Sequence, residues 1–493
     1  MIISHDLGTT GDKATLVDAD GAVVATATES YGVDFGSGGK AEQDALAWWR
    51  AVCVATRRLL ETVDARQIAG VSFSGQMMGA VLMDGSGAPV RPAIIWADTR
   101  STAQSDALVE RVGMERGYRI TGHRINPTYS LSKVMWVRDT EPEVFSRVRH
   151  LLLAKDFIVH RLTGRLVTDP SDASSTNAFD QSTGAWSEEL IDAAGLDRSL
   201  FPEVAASTTV VGTVTPEAAS LTGLLAGTPV VLGGGDGPMG ALGAGIVTEA
   251  DGAYCYLGSS SWVSLAADRP LHDPDMRTMT FNHVVPGGFV PTATMQAGGA
   301  SLQWIMETLA PDEPTAYVRL LDAAAEVPAS ADGLYFLPHL LGERSPYWNP
   351  RARAVFAGLA RHHGPAHLSR AVLEGVGFNL YTGLLAFEEN GASISSIDAI
   401  GGAANSAAAL RIFADQWGKT VRPRSLVDEA TALGAAVVGG VGVGLYDGFD
   451  IAKRLSSRTG EHLPNEVAHR RYLHEYQVFL DAYRRLEPWF DTL

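Results

Sequence analysis

The chain opens Met1-Ile2-Ile3-Ser4-His5-Asp6-Leu7-Gly8-Thr9-Thr10-Gly11-Asp12-Lys13-Ala14-Thr15-Leu16-Val17, and the fold follows from how this stretch is read. The apolar start, Met1 to Ser4, predicts a short strand. The polar glycine loop Asp6 to Gly11 turns the chain, and Ala14 to Val17 predicts a second strand. A turn at Asp18-Ala19-Asp20-Gly21 brings it back as a third, Ala22 to Thr28. A helical segment spans Asp44 to Thr62. Ile68 to Phe73 then predicts a buried strand running into Ser74-Gly75-Gln76-Met77-Met78-Gly79. Continued alternation of strands and helices predicts an α/β architecture.

The opening figure returns in the second half. Ala253-Tyr254-Cys255-Tyr256 is an apolar strand, Leu257-Gly258-Ser259-Ser260-Ser261 a hydroxyl-rich glycine loop, and Trp262 to Ala266 a return strand. The strand-then-glycine element at Ile68 to Gly75 has its echo in Ile397 to Asn405. Two units of one design, about 250 residues apart, predict a duplicated domain. The division falls near Gly245 to Gly252. The tail beyond Asp450 reads as an amphipathic helix that packs back on the body.

With 493 residues, 46 % of them hydrophobic, the chain can bury more than one core. Its formal charge of -17 comes from 39 basic and 56 acidic residues, and no stretch gathers Lys or Arg on one face, so a nucleic-acid partner is not expected. An anionic substrate must then be held by local amides, hydroxyls and a metal against a repelling global field. Cys53 and Cys255 are too few and too far apart for a disulfide framework or a zinc ribbon. Met1 to Asp6 lacks the basic and apolar regions of a signal peptide, and the glycine-rich apolar run Ala432 to Leu445 is too short to span a bilayer. A cytoplasmic protein with no membrane partner is expected. The oligomeric state stays open, a homodimer included.

Phosphate chemistry is suggested by the two hydroxyl-glycine loops. Gly8 and Gly258 allow a tight turn and close approach to an anion, while amides and the hydroxyls of Thr9, Thr10, Ser259 and Ser260 can donate to it. Asp6, just before the first loop, is placed to hold magnesium directly or through water. It is equally a turn-initiating aspartate. In Pro229 to Gly240 a buried strand delivers Asp236 into a glycine loop, which suits a general base for a hydroxyl nucleophile. The chain has six lysines against 33 arginines; Lys13 can reach a phosphate as a point charge, or be a solvated side chain at a strand start.

Other patterns fail on inspection. Gly235, Gly237 and Gly240 satisfy G-x-G-x-x-G, but Pro238 and the hairpin strands that follow fit poorly with a helix-opening dinucleotide turn. Gly418-Lys419-Thr420 resembles the end of a P-loop, yet Phe413 stands where the first glycine belongs. Gly70-Val71-Ser72-Phe73-Ser74 approaches a serine-hydrolase elbow without its final glycine. His362, His363 and His367 have no carboxylate or cysteine at ligand spacing, and read as a surface loop before a helix. Trp96-Ala97-Asp98-Thr99-Arg100 suits a polyhydroxyl ligand by stacking and bidentate bonds, and suits a packed ion pair equally.

At this point the sequence resembles the FGGY family of carbohydrate kinases, from Asp6 to about residue 480, and among them the xylulokinases. The first family signature is echoed in Thr128 to Val137. The second is matched by Phe356-Ala357-Gly358-Leu359, a seven-residue spacer, then His367-Leu368-Ser369-Arg370-Ala371-Val372-Leu373-Glu374. Shorter blocks agree in order: Leu153 to Phe157, Ser171-Asp172-Ala173, Gly342 to Pro346, Gly401 to Ser406 and Glu429 to Gly434. The resemblance implies two actin-like, ribonuclease-H-like domains, 1–247 for sugar and phosphate and 248–493 for nucleotide, with a nucleotide cleft between them. It implies ATP and Mg2+ as cofactors and a small sugar or polyol as substrate, a ketopentose such as xylulose first. Asp236 would be the base, and Asp6 with Asp236 the metal site. Gly8, Thr9, Thr10, Lys13, Gly258 and Ser259 would face the phosphates, and Gly299, Gln303, Gly402 and Asn405 would line the nucleotide. Gln76, Met77, Met78, Trp96 and Asp236 would line the sugar.

The sequence departs from that family at three of these places. Met78 stands where xylulokinases usually have histidine, and Gly237 where they usually have asparagine; both changes remove hydrogen-bonding side chains from the implied sugar end and should alter the preferred substrate. Ser259 replaces a threonine and keeps the hydroxyl. A kinase of another ketose or polyol (ribulose, or one resembling erythritol) and a non-catalytic sugar and ATP sensor are the competing readings. An actin-like chaperone acting on protein would not explain the signature around His367 to Glu374.

Overall fold

The computed structural model describes residues 1–311, 313, 316–425 and 430–493; Glu429, named in one of the family blocks, lies outside the described residues. In the first lobe β1 (Ile2–Leu7), β2 (Gly11–Val17) and β3 (Val23–Ser30) form the expected antiparallel meander. β1 runs on to Leu7 and β2 begins at Gly11, because backbone pairing continues through Asp6 opposite Lys13 and Leu7 opposite Asp12. Polar side chains suggested loop there, but ladder hydrogen bonds do not depend on side-chain polarity. The Asp12 carboxylate instead meets the buried His5 ring, Oδ2 to Nδ1 at 2.9 Å.

α1 (Ala45–Leu60) covers one face of the meander with Trp48, Val52, Ala55 and Leu59, spaced three or four apart, and its first turn is capped by the Asp44 carboxylate accepting from Leu46 N. β4 (Gly70–Gly75), buried along its whole length, lies parallel to β1. β5 (Val210–Thr213) and β6 (Pro229–Val231) complete a sheet ordered β5-β6-β4-β1-β2-β3.

α2 (Asp236–Gly243) leads into the second lobe. There β7 (Ala253–Leu257), β8 (Ser261–Leu265), β9 (Met279–Asn282), β10 (Phe289–Met295), β11 (Ser396–Ile400) and β12 (Thr420–Pro423) form a sheet ordered β9-β10-β8-β7-β11-β12. The path β3-β2-β1-β4-β6 and the path β10-β8-β7-β11-β12 share one plan, three antiparallel strands followed by two running parallel to the first. The expected duplication is therefore present in the strand pairing itself.

α3 (Gly299–Leu309) and α4 (Pro365–Glu389) pack into the second core. α6 (Glu466–Phe490) is the expected tail helix. It returns to the body by burying Tyr472, Tyr476, Phe479 and Tyr483, and Tyr472 donates to Glu374 Oε1 at 2.6 Å.

α5 (Ala430–Gly442) belongs to the second half of the sequence yet seals the first lobe, where its Leu433 and Ala436 pack on Ile2 and Val17. It also crosses α2 at backbone contact. A Cβ on Gly243 would lie 1.7 Å from Ala430 O, and one on Gly434 2.1 Å from Met239 O. The run Ala432 to Leu445 is apolar because, through Gly440, it is buried against the first sheet and α2, and no helix among the described residues is long and apolar enough to cross a membrane.

Gly434→Val should lower the thermal unfolding midpoint by several degrees, since overpacking costs about 1–3 kcal/mol and here meets backbone that cannot step aside. An unchanged melting curve would show that the two helices are free to separate.

Candidate active site

Parallel pairing brings the ends of β1, β4 and β6 to one edge of the first sheet, so Gly8 to Thr10, Gln76 to Met78 and Gly233 to Asp236 emerge together. Gly233 has φ +77° and a Cβ there would sit 2.0 Å from Phe73 O, so only glycine lets the chain cross to pair Gly234 and Gly235 with Ser74 and Gly75. α2 then starts at Asp236. Pro238 lies in its first turn, where no amide is needed, so the sequence objection to a helix opening here does not hold. The antiparallel β7–β8 hairpin that follows still excludes a dinucleotide crossover.

The second sheet repeats the arrangement. Gly258 and Ser259 follow β7, Gly299 follows β10, and the Gly402–Asn405 turn follows β11, all at one edge. Gly299 N donates to Gly258 O at 2.7 Å and Ala300 N to Ser259 O at 3.0 Å, so the second glycine loop rests on the start of α3. Gln303, on the same helix, is exposed and donates to Glu307 Oε1 at 2.7 Å.

A cavity of about 230 Å³ lies between the two edges. Thr9, Met77, Met78, Trp96, Asp236 and Gly237 line it from the first lobe. Ser260, Trp262, Ser264, Met279, Phe281, Thr292, Thr294 and Arg344 line it from the second, and Thr431 from α5. Trp96 Nε1 donates to Thr9 Oγ1 at 3.0 Å, and the Arg344 guanidinium lies 5.8 Å from the Trp96 ring centre. Arg344 and Thr294 line the cavity, and their buried Nε and Oγ1 have no protein partner.

The predicted sugar residues do not all reach this wall. Gln76 stands behind it, its Nε2 donating to Gln43 Oε1 at 2.8 Å, while Gln43 Nε2 supports Thr9 O at 2.7 Å. The Trp96 to Arg100 cluster splits: Trp96 faces the cavity, whereas Asp98 and Arg100 form a part-buried ion pair, Nε to Oδ2 at 2.9 Å. Met78 adopts φ +63°, with its carbonyl held by the buried Lys133 Nζ at 2.8 Å. Burial pushes that lysine down to about 7.

Asp6 lies one layer back, where Thr431 Oγ1 donates to its Oδ2 at 2.5 Å. Burial raises its carboxyl above the usual range. Asp236 is raised to about 7, by burial first and then by the charge of Asp6, against the Gly237 amide donating to its Oδ1 at 2.8 Å. Two carboxylates thus sense each other at the mouth of two glycine loops.

The histidine cluster has a carboxylate after all, from a distant segment. His362 Nε2 lies 3.0 Å from Asp332 Oδ2, and these two with His363 could hold one ion by spacing. His363 Nδ1, however, accepts from Ala360 N at 3.0 Å, which places its proton on Nε2, 3.3 Å from Asp332 O. His367 Nδ1 accepts from Gly364 N at 3.3 Å before α4. The rings tie a surface loop together.

Besides Thr431 on α5, the residues that sequence patterns did not point to come from the second lobe: Arg344, Met279, Phe281 and the hydroxyls Ser264, Thr292 and Thr294. The last three had a signal. Trp262-Val263-Ser264 and Thr292-Ala293-Thr294 alternate cavity-facing and core-facing residues with the period of a strand.

Two duplicated lobes with facing glycine loops over a carboxylate-bearing cavity define an actin-like phosphotransferase. The chain belongs to the FGGY family of carbohydrate kinases, whose N-terminal domain matches residues 1–243 and whose C-terminal domain matches residues 253–443. It is 34 % identical to the xylulose kinase of Escherichia coli (strain K12) over 489 residues, 99 % of each chain. Its structure is similar to that of a ligand-bound xylulose kinase from Lactobacillus acidophilus (TM-score 0.95, 27 % identity, covering 100 % of this chain and 99 % of that one). It is also similar to a gluconate kinase from the same organism (TM-score 0.93, 27 % identity, 98 % of both chains).

The raised carboxyl of Asp236 has a consequence for stability. Folded, it holds its proton up to about pH 7; unfolded, only to about 3.8. It therefore favours the fold in acid, and that contribution is lost as pH rises from 4 to 7. Asp236→Asn should melt a few degrees above the parent at pH 8 and with it at pH 4; equal midpoints at both pH values would show that the carboxylate is not strained.

Proposed function

We propose that the protein transfers the γ-phosphoryl group of ATP to a hydroxyl of a small sugar or polyol, with Asp236 taking the hydroxyl proton. The observation that carries this reading is Asp236 itself: a carboxylate raised to about 7, at the tip of α2, in a cavity flanked by both glycine loops. A base of that strength is matched to a hydroxyl near neutral pH. The phosphates would lie along Gly8, Thr9, Thr10, Lys13, Gly258 and Ser259, and the nucleoside against Gly299, Gln303, Gly402 and Asn405. Residues 1–247 and 248–493 would act as the sugar and nucleotide domains. A cytoplasmic location fits a chain whose two cysteines are both free thiols.

A magnesium ion fits the residues present. Asp6 and Asp236 are oxygen donors whose carboxyls are both raised above the ordinary range, chiefly by burial, so a divalent cation would offset the cost of holding both ionised there. When bound, it supplies charge neutralisation to the phosphates. The remaining work belongs to the chain: the loops orient, Trp96 and Met77 exclude water, and Asp236 accepts the proton.

The names of the relatives make a ketopentose such as xylulose the first substrate to test, with ribulose, erythritol and gluconate beside it. Met78 and Gly237 both line the cavity and offer no side-chain hydrogen bond, so the preferred sugar is expected to differ from that of relatives bearing histidine and asparagine there. ADP release over this panel should single out one substrate. In Asp236→Ala its turnover should fall by about 10²–10⁴-fold, with ATP binding kept. Near-parental turnover in that variant would overturn the base, and binding without turnover in the parent would favour a sensor.

A further inference from the structure

The single turn Pro170–Ala173 and the 3-10 turn Ser174–Thr176 after it are buried beneath the cavity and contribute nothing to its lining. Three serine hydroxyls in this segment nevertheless touch three different walls. Ser171 Oγ accepts the amide of Gly235, the residue before Asp236, at 2.9 Å. Ser175 Oγ accepts the amide of Met78 at 3.1 Å. Ser174 Oγ accepts the amide of Asn282 at 3.1 Å, at the end of β9, which carries Met279 and Phe281.

Each hydroxyl proton is already committed inward. Ser171 donates to Asp169 Oδ2 at 2.5 Å, Ser174 to Ser171 O at 2.7 Å and Ser175 to Asp172 O at 2.7 Å. Every oxygen therefore points its lone pair outward and can only accept, so each fixes the position of one amide. The segment is itself anchored from below. Lys155 Nζ lies 2.5, 3.0 and 3.1 Å from carboxylate oxygens of Asp156, Asp169 and Asp172, all with 0 % side-chain exposure. Buried charges packed this closely do not shift without losing several bonds together.

We propose that Ser171, Ser174 and Ser175 are positioning residues: one rigid turn that sets the base, the left-handed backbone of Met78 and the second-lobe wall of Met279 and Phe281 in a single register. The assignment of Ser171 rests on Asp236 being the base; those of Ser174 and Ser175 rest only on the cavity being the sugar site. Met78 needs such support, because φ +63° is costly for an unbranched bulky residue and its amide would otherwise be buried without a partner. The link from Ser174 to Asn282 joins the two lobes, so the register is complete only when the second lobe lies against the first.

Thr176 supplies an internal control. Its hydroxyl donates to Ala173 O at 2.7 Å and accepts from Ala178 N at 3.1 Å, a purely local pattern in the same segment. Steady-state kinetics and melting curves of Ser171→Ala, Ser174→Ala, Ser175→Ala and Thr176→Ala decide the matter, with Ser→Cys at the three serine positions filling the same space with a weaker acceptor. Loss of one positioning bond is expected to change the affected constant about tenfold. For Ser171→Ala the affected constant is kcat, with a displaced acid limb in its pH profile. For Ser174→Ala and Ser175→Ala it is the sugar KM, with the ATP KM unchanged. Thr176→Ala should lose stability while keeping both constants. Uniform losses in all four, scaling with the fall in melting midpoint, would reduce the turn to a structural element. Asp236→Ala in the same assay separates the two readings: turnover there removes the base, while the KM shift of Ser175→Ala still tests the turn.

Discussion

Asp6 and Asp236 reach the site from opposite edges of β4, and two carboxylates buried this way constrain what surrounds them. One rung of the sheet pairs Asp6 with Ser74 and Ser74 with Gly234, so Asp236 follows two residues beyond the line on which Asp6 sits. Burial first, and then the charge of Asp6, raise the affinity of Asp236 for a proton, while Asp6 is raised chiefly by its own burial. The structure tolerates the arrangement because each carboxylate has one donor that keeps it in place, Thr431 for Asp6 and the Gly237 amide for Asp236. Those donors come from α5 and α2, whose crossing thereby becomes part of the site.

That crossing explains why the second half of the sequence reaches into the first lobe. Helices with glycines at Gly243 and Gly434 approach to backbone contact, closer than any side chain permits. α5 can then lie on β1 and present Thr431 to Asp6 while its hydrophobic face seals the sheet. A duplicated pair of lobes would by itself be two separate bodies. Here the helix that fixes a carboxylate in one lobe is covalently the continuation of the other.

The fold was legible because it is written in strand periodicity and glycine placement, both local in sequence. The two hairpins, α1, the delivery of Asp236 and the tail helix all follow from neighbours within about ten residues. Polar strand ends misled: Asp6 and Asp12 look like loop, and only pairing with distant backbone makes them strand. The site was legible on the first-lobe side, where its residues sit beside turns. Second-lobe contributors such as Met279 and Phe281 lie in no glycine loop, and no rule of spacing connects them or Arg344 to Asp236. Asp332 joins His362 and His363 for the same reason, across a stretch of chain that sequence offsets do not see.

One wall of the cavity offers no polar side chain. Met77, Met78, Met279 and Phe281 form one apolar cluster with Tyr129, and Trp96 and Trp348 pack against it. A polyhydroxyl ligand against such a wall must direct its hydroxyls elsewhere, since an unpaired buried hydroxyl is expensive. The partners left are Thr9, Asp236 and Thr431 on one side and Ser260, Ser264, Thr292, Thr294 and Arg344 on the other. A ligand seated here would be recognised less by the wall at Met78 and Gly237 than by the polar groups on the other sides of the cavity. Under the proposed function, the groups that select the sugar would then also align its reacting hydroxyl, so a substrate that binds well would also be held in line for transfer.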